Sequence, residues 1–200
     1  MLEQRPIEIV SDPIALFAKW AHETENSGED ATMAALATAD AEGFPSVRIV
    51  LVKDVSKKGF CVFTNLTSRK ACNMKENPKA SLCFHWRTQQ RQVRVSGAVE
   101  SVSAFDADEY FLSRARESQL GAWASKQSQT MESSDDLSKR MEKMRALYEG
   151  KPVPRPDFWS GFRIIPERIE FWQEGKARLH TRICYIRIAA GEWQHSWLYP

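Results

Sequence analysis

Between Arg48 and Lys70 the chain reads RIVLVKDVSKKGFCVFTNLTSRK. Two apolar, β-branched runs, Val47 to Val52 and Phe60 to Phe63, flank the polar turn Ser56-Lys57-Lys58-Gly59, whose glycine can take a positive φ, so the stretch predicts a β-hairpin. The same pattern recurs along the chain and constrains the fold most, because strands joined by turns of a few residues can pair only antiparallel. Residues 33–38, 79–86, 91–102, 159–165, 168–172, 179–188 and 193–198 read as further strands, with turns at Ala41-Glu42-Gly43, Gly175 and Ala190-Gly191.

Helices interrupt this series. Asp12-Pro13 is a cap followed by proline at the first helical position, and Ile14, Phe17, Trp20 and Ala21 then form one apolar stripe to about Glu25. Residues 68–76 read as a helix stopped by Asn77-Pro78, and Ser103 to Asp106 as a capping box opening a helix through Tyr110 and Phe111. A further piece lies around residues 118–124. Residues 135–148 carry Leu137, Met141, Met144 and Leu147 on one side, and the proline-rich run 151–156 predicts an extended connector. Roughly seven or eight strands with a few helices predict a mainly β fold, an antiparallel barrel with helices outside it. The reading is one domain over 1–200 with a flexible N-terminal segment over 1–11.

The first hairpin carries more cations than a hairpin needs. Arg48 and Lys53 bracket its first strand, and Thr64, Ser68, Arg69 and Lys70 follow its second. Thr67 or Ser68 can cap a helix starting near Arg69, whose free N–H groups attract an anion, and arginine forks and lysine point charges both suit phosphate. One such lysine alone reads as a solvated charge; the group reads as a phosphate site. Strand parity complicates it, because Arg48 and Lys53 are an odd number apart and a regular strand points them to opposite faces.

Bulk chemistry narrows the partners. With 28 basic and 26 acidic residues the net charge is +2, so no overall field favours nucleic acid or a membrane surface. Cys61, Cys72, Cys83 and Cys184 form no CxxC pair and read as reduced thiols, and neither they nor the four histidines have metal-ligand spacing. No metal is expected. The start, MLEQRPIEIV, lacks the apolar core of a signal peptide and no run reaches spanning length, which predicts a cytoplasmic protein.

Several ordered motifs then carry a resemblance: RIVLVK at 48–53, FTNLTSRKA at 63–71, NPKASLCFHW at 77–86, RQVRVSG at 91–97, YFLSRARESQLGAWASKQS at 110–128, VPRPDFWSGFRIIPERIEFWQ at 153–173 and RLHTR at 178–182. Together they resemble the pyridoxamine 5′-phosphate oxidases, flavin enzymes of vitamin B6 metabolism, from Asp12 to Pro200. The resemblance implies an FMN-binding split barrel and a homodimer with FMN between subunits. The implied reaction is oxidation of pyridoxamine and pyridoxine 5′-phosphate to pyridoxal 5′-phosphate, with O2 reduced to H2O2. FMN would meet Arg48, Ile49, Val50, Leu51, Val52, Lys53, Phe63, Thr64, Arg69, Lys70 and Gln92 of one subunit and Gln127, Ser128, Trp172 and Arg182 of the other. The substrate phosphate would meet Lys53, Tyr110, Arg114 and Ser118, with Arg178, Leu179 and His180 bordering the pyridine ring. Arg178 and His180 are the catalytic candidates, Arg178 to position the reacting carbon and help remove a proton, His180 to bind and orient.

Some of these roles agree with spacing. Tyr110 and Arg114 share a helix face, Ser118 lies one turn on if the helix persists, and Arg178 and His180 share a face of the expected strand. The chain departs from the family pattern at Phe63, where tyrosine is common, at Ala115, where proline is usual, and at Thr181, where aspartate is commoner. The family's N-terminal extension is mostly missing before Asp12, which implies weaker closure over substrate. Competing readings are another split-barrel flavin reductase, a non-catalytic pyridoxal phosphate or flavin carrier, and a nucleic-acid module.

Overall fold

In the computed structural model, which describes residues 7–200, the strands are β1 (Met33–Ala39), β2 (Pro45–Ser56), β3 (Gly59–Asn65), β4 (Lys79–Trp86), β5 (Arg91–Ser101), β6 (Trp159–Gln173), β7 (Thr181–Ala189) and β8 (Glu192–Trp197). All pairings are antiparallel, in the order β3-β2-β1-β4-β5-β6-β7-β8. Because β3 pairs again with β6, six strands close into a barrel and β7 and β8 extend from it. Five helices flank it: α1 (Pro13–Glu25), α2 (Arg69–Glu76), α3 (Ala104–Ser113), α4 (Arg116–Ala124) and α5 (Asp136–Leu147). The expected mainly β antiparallel split barrel is the fold observed.

Alternation along the strands fills the interior with Leu36, Val52, Phe60, Val62, Leu82, Phe84, Val93, Val95, Ile164, Ile169 and Phe171. The stripe of α1 packs against this core. Asp12 Oδ1 accepts the Ile14 N–H at 2.9 Å, and the buried Phe17 ring lies 5.0, 4.8 and 5.5 Å from Phe60, Phe84 and Trp86. Truncating such a residue to alanine costs about 3–5 kcal/mol. Of the segment 1–11 expected to be flexible, residues 1–6 lie outside the described residues. Beyond them Ile7 is buried, Glu8 pairs with Lys19, and the Val10 N–H donates to the Tyr185 hydroxyl at 3.2 Å.

Three local irregularities differ from the sequence expectation. The strands expected over 159–165 and 168–172 are one strand, β6, continuous through Pro166. Glu167 is an extra residue opposite the Ser96–Gly97 step of β5, and such a bulge tolerates the missing proline N–H. Gly97 permits it, since a Cβ there would sit 1.9 Å from the Ile165 carbonyl oxygen. The second lies in β2, where the register against β3 shifts between Val52 and Asp54 and Lys53 is the extra residue. This breaks the odd-even rule that separated Arg48 from Lys53. The third is the strand expected to begin at Leu179. It begins at Thr181, and Lys176–Arg178 form a single 3₁₀ turn with Ala177 and Arg178 at φ 52° and 63°.

Candidate active site

A cavity of about 850 Å³ opens between β2 and β3 of the barrel, the start of α2, and α3 and α4. It brings together Arg48, Ile49, Val50, Leu51, Lys53, Phe63, Thr64, Arg69, Lys70, Tyr110, Arg114, Ser118, Gln127 and Ser128. Its charged groups fall into two poles.

The first pole grows from β2 and the first turn of α2. Ser68 occupies the cap position but donates its hydroxyl to the Asn65 carbonyl at 2.7 Å, leaving the α2 N-terminus without a side-chain cap. Lys70, only 9% exposed, turns inward and donates to Thr64 Oγ1 (3.1 Å), Ser68 Oγ (3.3 Å) and Gln127 Oε1 (3.1 Å). Burial, then the Arg48 charge, lowers its pKa; burial, then Arg69, lowers that of Arg48. Arg48 donates through Nη1 to the Leu36 carbonyl (3.2 Å) and Thr38 Oγ1 (2.8 Å), and through Nη2 to Ser46 Oγ (2.5 Å). All its partners are neutral.

The second pole rests on stacked aromatics. Phe63 and Tyr110 stack at 4.1 Å, and Trp159 lies 5.7 Å from Phe63. The Arg114 guanidinium sits 4.8 Å over the Trp159 ring, with a buried Nη1 that has no hydrogen-bond partner. Burial lowers its pKa, and burial raises that of Tyr110. The helix does not persist as the spacing assumed: α3 ends at Ser113, and Arg114 and Ala115 are extended before α4. That break nevertheless brings Tyr110, Arg114 and Ser118 to one wall. None of the described ion pairs involves Arg48, Lys53, Arg69, Lys70 or Arg114. A buried Lys70 and half-buried Arg48 and Arg114, with no counter-ion among the described ion pairs, have the chemistry to take an anion at each pole.

Not every expected residue is here. Val52 points into the barrel core. Gln127 and Ser128, expected from a partner subunit, line this chain's own cavity, because the loop after α4 folds back onto β3 and lets Thr64 Oγ1 donate to Gln127 Oε1 at 3.0 Å. Gln92, Trp172, Arg178, Leu179, His180 and Arg182 are not among the cavity's walls. Gln92, Trp172 and Arg182 stand in one row across β5, β6 and β7, so Gln92 groups with the residues expected from the partner. The His180 ring lies 4.6 Å from Trp172, and its Nδ1 accepts the Gly175 N–H at 3.1 Å, which leaves Nε2 to carry the proton of the neutral ring. Arg182 donates through Nε to Glu170 at 2.9 Å and through Nη1 to the Tyr199 carbonyl at 2.7 Å. Arg178, at the end of the 3₁₀ turn, and Leu179, just after it, are exposed, and Arg178 does not share a strand face with His180 as expected, because the strand begins only at Thr181.

Sequence reasoning missed Thr38, Ser46, Asn73 and Glu170. Asn73 carried a signal, a polar residue three after Lys70 on the face of α2 that also buries Ala71 and Met74. Among the described residues no group of acidic, histidine or cysteine side chains could hold a metal, and no helix is long and apolar enough to cross a membrane. The four cysteines are free, and burial pushes the Cys61 thiol up to about 11.

Comparison with known proteins fits this geometry. Residues 22–152 match the family model described as pyridoxamine 5′-phosphate oxidase, and residues 159–200 match the pyridoxine 5′-phosphate oxidase C-terminal dimerisation region. The chain is 48% identical over 191 residues to the pyridoxine/pyridoxamine 5′-phosphate oxidase of Pelagibacter ubique, covering 94% of this chain and 92% of that one. It is 51% identical to the Maricaulis maris protein of the same name, covering 94% and 86%. Among solved structures, PhzG from Burkholderia lata 383, in complex with tetrahydrophenazine-1-carboxylic acid, superposes with a TM-score of 0.92 at 28% identity, covering 100% and 98%. A Nostoc punctiforme protein described as pyridoxamine 5′-phosphate oxidase-related and FMN binding shares the fold, with a TM-score of 0.76 at 16% identity, covering 96% and 100%. The chain belongs to the pyridoxamine 5′-phosphate oxidase family.

Proposed function

We propose that this protein oxidises pyridoxamine 5′-phosphate and pyridoxine 5′-phosphate to pyridoxal 5′-phosphate, using bound FMN and O2. The observation that carries the reading is one cavity with two cationic poles and, among the described ion pairs, no counter-ion at either. Two phosphates, one on the cofactor and one on the substrate, account for both. The alcohol plus O2 gives aldehyde plus H2O2; the amine additionally consumes water and releases ammonia.

The first pole fits FMN: Lys70 and Arg48 are inward-facing cations bonded only to neutral groups. When bound, FMN supplies acceptance of the hydride from the substrate's C4′ carbon. Everything else falls to the chain. The orphaned Nη1 of Arg114, with Lys53, Tyr110 and Ser118, holds the substrate phosphate, and binding there, remote from the reacting carbon, fixes the ring in a reactive pose. His180 offers an Nε2–H donor that orients the substrate ring. Arg178 positions and polarises the reacting group through its guanidinium N–H donors.

Arg178 and His180 lie outside the walls of their own chain's cavity, which supports a homodimer in which one subunit's second group completes the other's site. Two further observations agree. Residues 159–200 match a dimerisation region, and Met33, Val47, Ile49 and Leu51 leave an apolar strip exposed on β1 and β2. The cytoplasm is the proposed location.

The test is turnover. FMN-loaded protein should consume O2 and form pyridoxal 5′-phosphate from pyridoxamine 5′-phosphate, and turn over unphosphorylated pyridoxamine far less well. Bound FMN without turnover would leave a carrier or a reductase of another substrate; equal use of both amines would contradict the phosphate role of the second pole.

A further inference from the structure

Asn73 is an amide in the middle of α2, 3% exposed, where asparagine is a poor helix former and a buried amide is costly unless bonded. Its Nδ2 donates to Thr38 Oγ1 and to Ser46 Oγ, each at 3.2 Å. Those two hydroxyls stand opposite each other on β1 and β2, since Thr38 and Ser46 are register partners. They are also the two side chains that accept from Arg48. One amide, two hydroxyls and one guanidinium therefore form a closed hub linking α2 to β1 and β2.

The hub has work to do. Burial, then the Arg48 charge, lowers the pKa of Lys70, and burial, then the Arg69 charge, lowers that of Arg48, so three cations stand close together here. With no carboxylate to hold it, a flexible arginine would swing away from the other two cations. Three of its five N–H groups are taken by Leu36, Thr38 and Ser46, leaving two for a ligand. Each hydroxyl has two lone pairs, and an amide donating to one on each oxygen turns the other toward the guanidinium.

We infer that Asn73 is a positioning residue: through Thr38 and Ser46 it holds Arg48 in the phosphate-binding pole when no anion is present, so that the cofactor phosphate meets a preorganised cluster. This rests on the reading of that pole as the FMN phosphate site.

Asn73→Leu keeps the volume and removes both donors. FMN and riboflavin, which lacks the phosphate, are titrated by flavin fluorescence into wild-type, Asn73→Leu, Arg48→Ala and the double variant. The expected result is FMN binding about tenfold weaker in Asn73→Leu, as for loss of support to one charge-assisted hydrogen bond, with riboflavin binding unchanged and no further loss when Arg48 is already alanine. Equal weakening of both flavins, an unchanged FMN affinity, or a full additional loss in the Arg48→Ala background overturns the inference. If Asn73→Leu does not fold, Ser46→Ala removes one arm of the hub and is expected to weaken FMN selectively; unchanged affinity there overturns it equally. Failure of the wild type to bind FMN would sink the underlying reading instead, and is distinguishable because it precedes any substitution.

Discussion

Lys70 and Arg114 are the cations proposed to hold the two phosphates, and each has a measurable signature. Lys70 is held below the ordinary lysine value by burial and by Arg48. A base with a depressed folded pKa is a charge the empty fold tolerates poorly. Its cost is present below that pKa and is relieved as pH rises through it toward the ordinary lysine value of 10.5. Phosphate binding needs the ammonium, so FMN affinity should fall as pH rises through the same window, while the phosphate itself stays fully ionised. Lys70→Met should weaken FMN at neutral pH by about 10- to 100-fold and abolish that slope, checked by fluorescence titration across pH. Arg114→Ala should raise the KM for pyridoxamine 5′-phosphate by about 10- to 100-fold with a smaller change in kcat, checked by steady-state kinetics. At this scale the sequence was informative about residue types and poor on company. That Arg48, Lys53, Arg69 and Lys70 would form a cluster was legible. That Gln127 would bond Lys70, or Asn73 reach Thr38 and Ser46, depends on contacts 57, 35 and 27 residues apart that no local pattern encodes.

Elements were legible where one rule governed them. The cap and proline at Asp12-Pro13 placed α1, and alternation placed β4 and most of β5. Expectation failed where two rules met. Pro166 argued for a strand end, yet a bulge at Glu167 and the bare backbone of Gly97 carry β6 through. Parity separated Arg48 from Lys53, yet the extra residue in β2 changes the geometry there. The link between α3 and α4 gives a prediction of its own. Ala115 has φ −54° and the preceding Arg114 has ψ 147°, values that proline and a residue before proline adopt without strain. Ala115→Pro should therefore stabilise the protein by about 0.4–1 kcal/mol through the unfolded chain, raising the urea midpoint with an unchanged slope. A fall in the midpoint would mean that the Ala115 N–H has a partner that matters.

For the whole molecule, the barrel supplies a cavity with two cationic poles, and the row across β5, β6 and β7 with the turn before β7 carries a second group of residues outside its walls. In the proposed dimer, the exposed apolar strip of Met33, Val47, Ile49 and Leu51 is the surface that would join the two copies. Ile49→Glu, a charge placed in the middle of that strip, should shift the protein from dimer to monomer in light scattering after size exclusion and cost FMN affinity and turnover together. The central claim, that this cavity oxidises a phosphorylated vitamer through its flavin, is tested most directly without oxygen. One equivalent of pyridoxamine 5′-phosphate added anaerobically to the FMN-loaded protein should bleach the flavin and yield one equivalent of pyridoxal 5′-phosphate. A flavin that stays oxidised while the vitamer binds would contradict it.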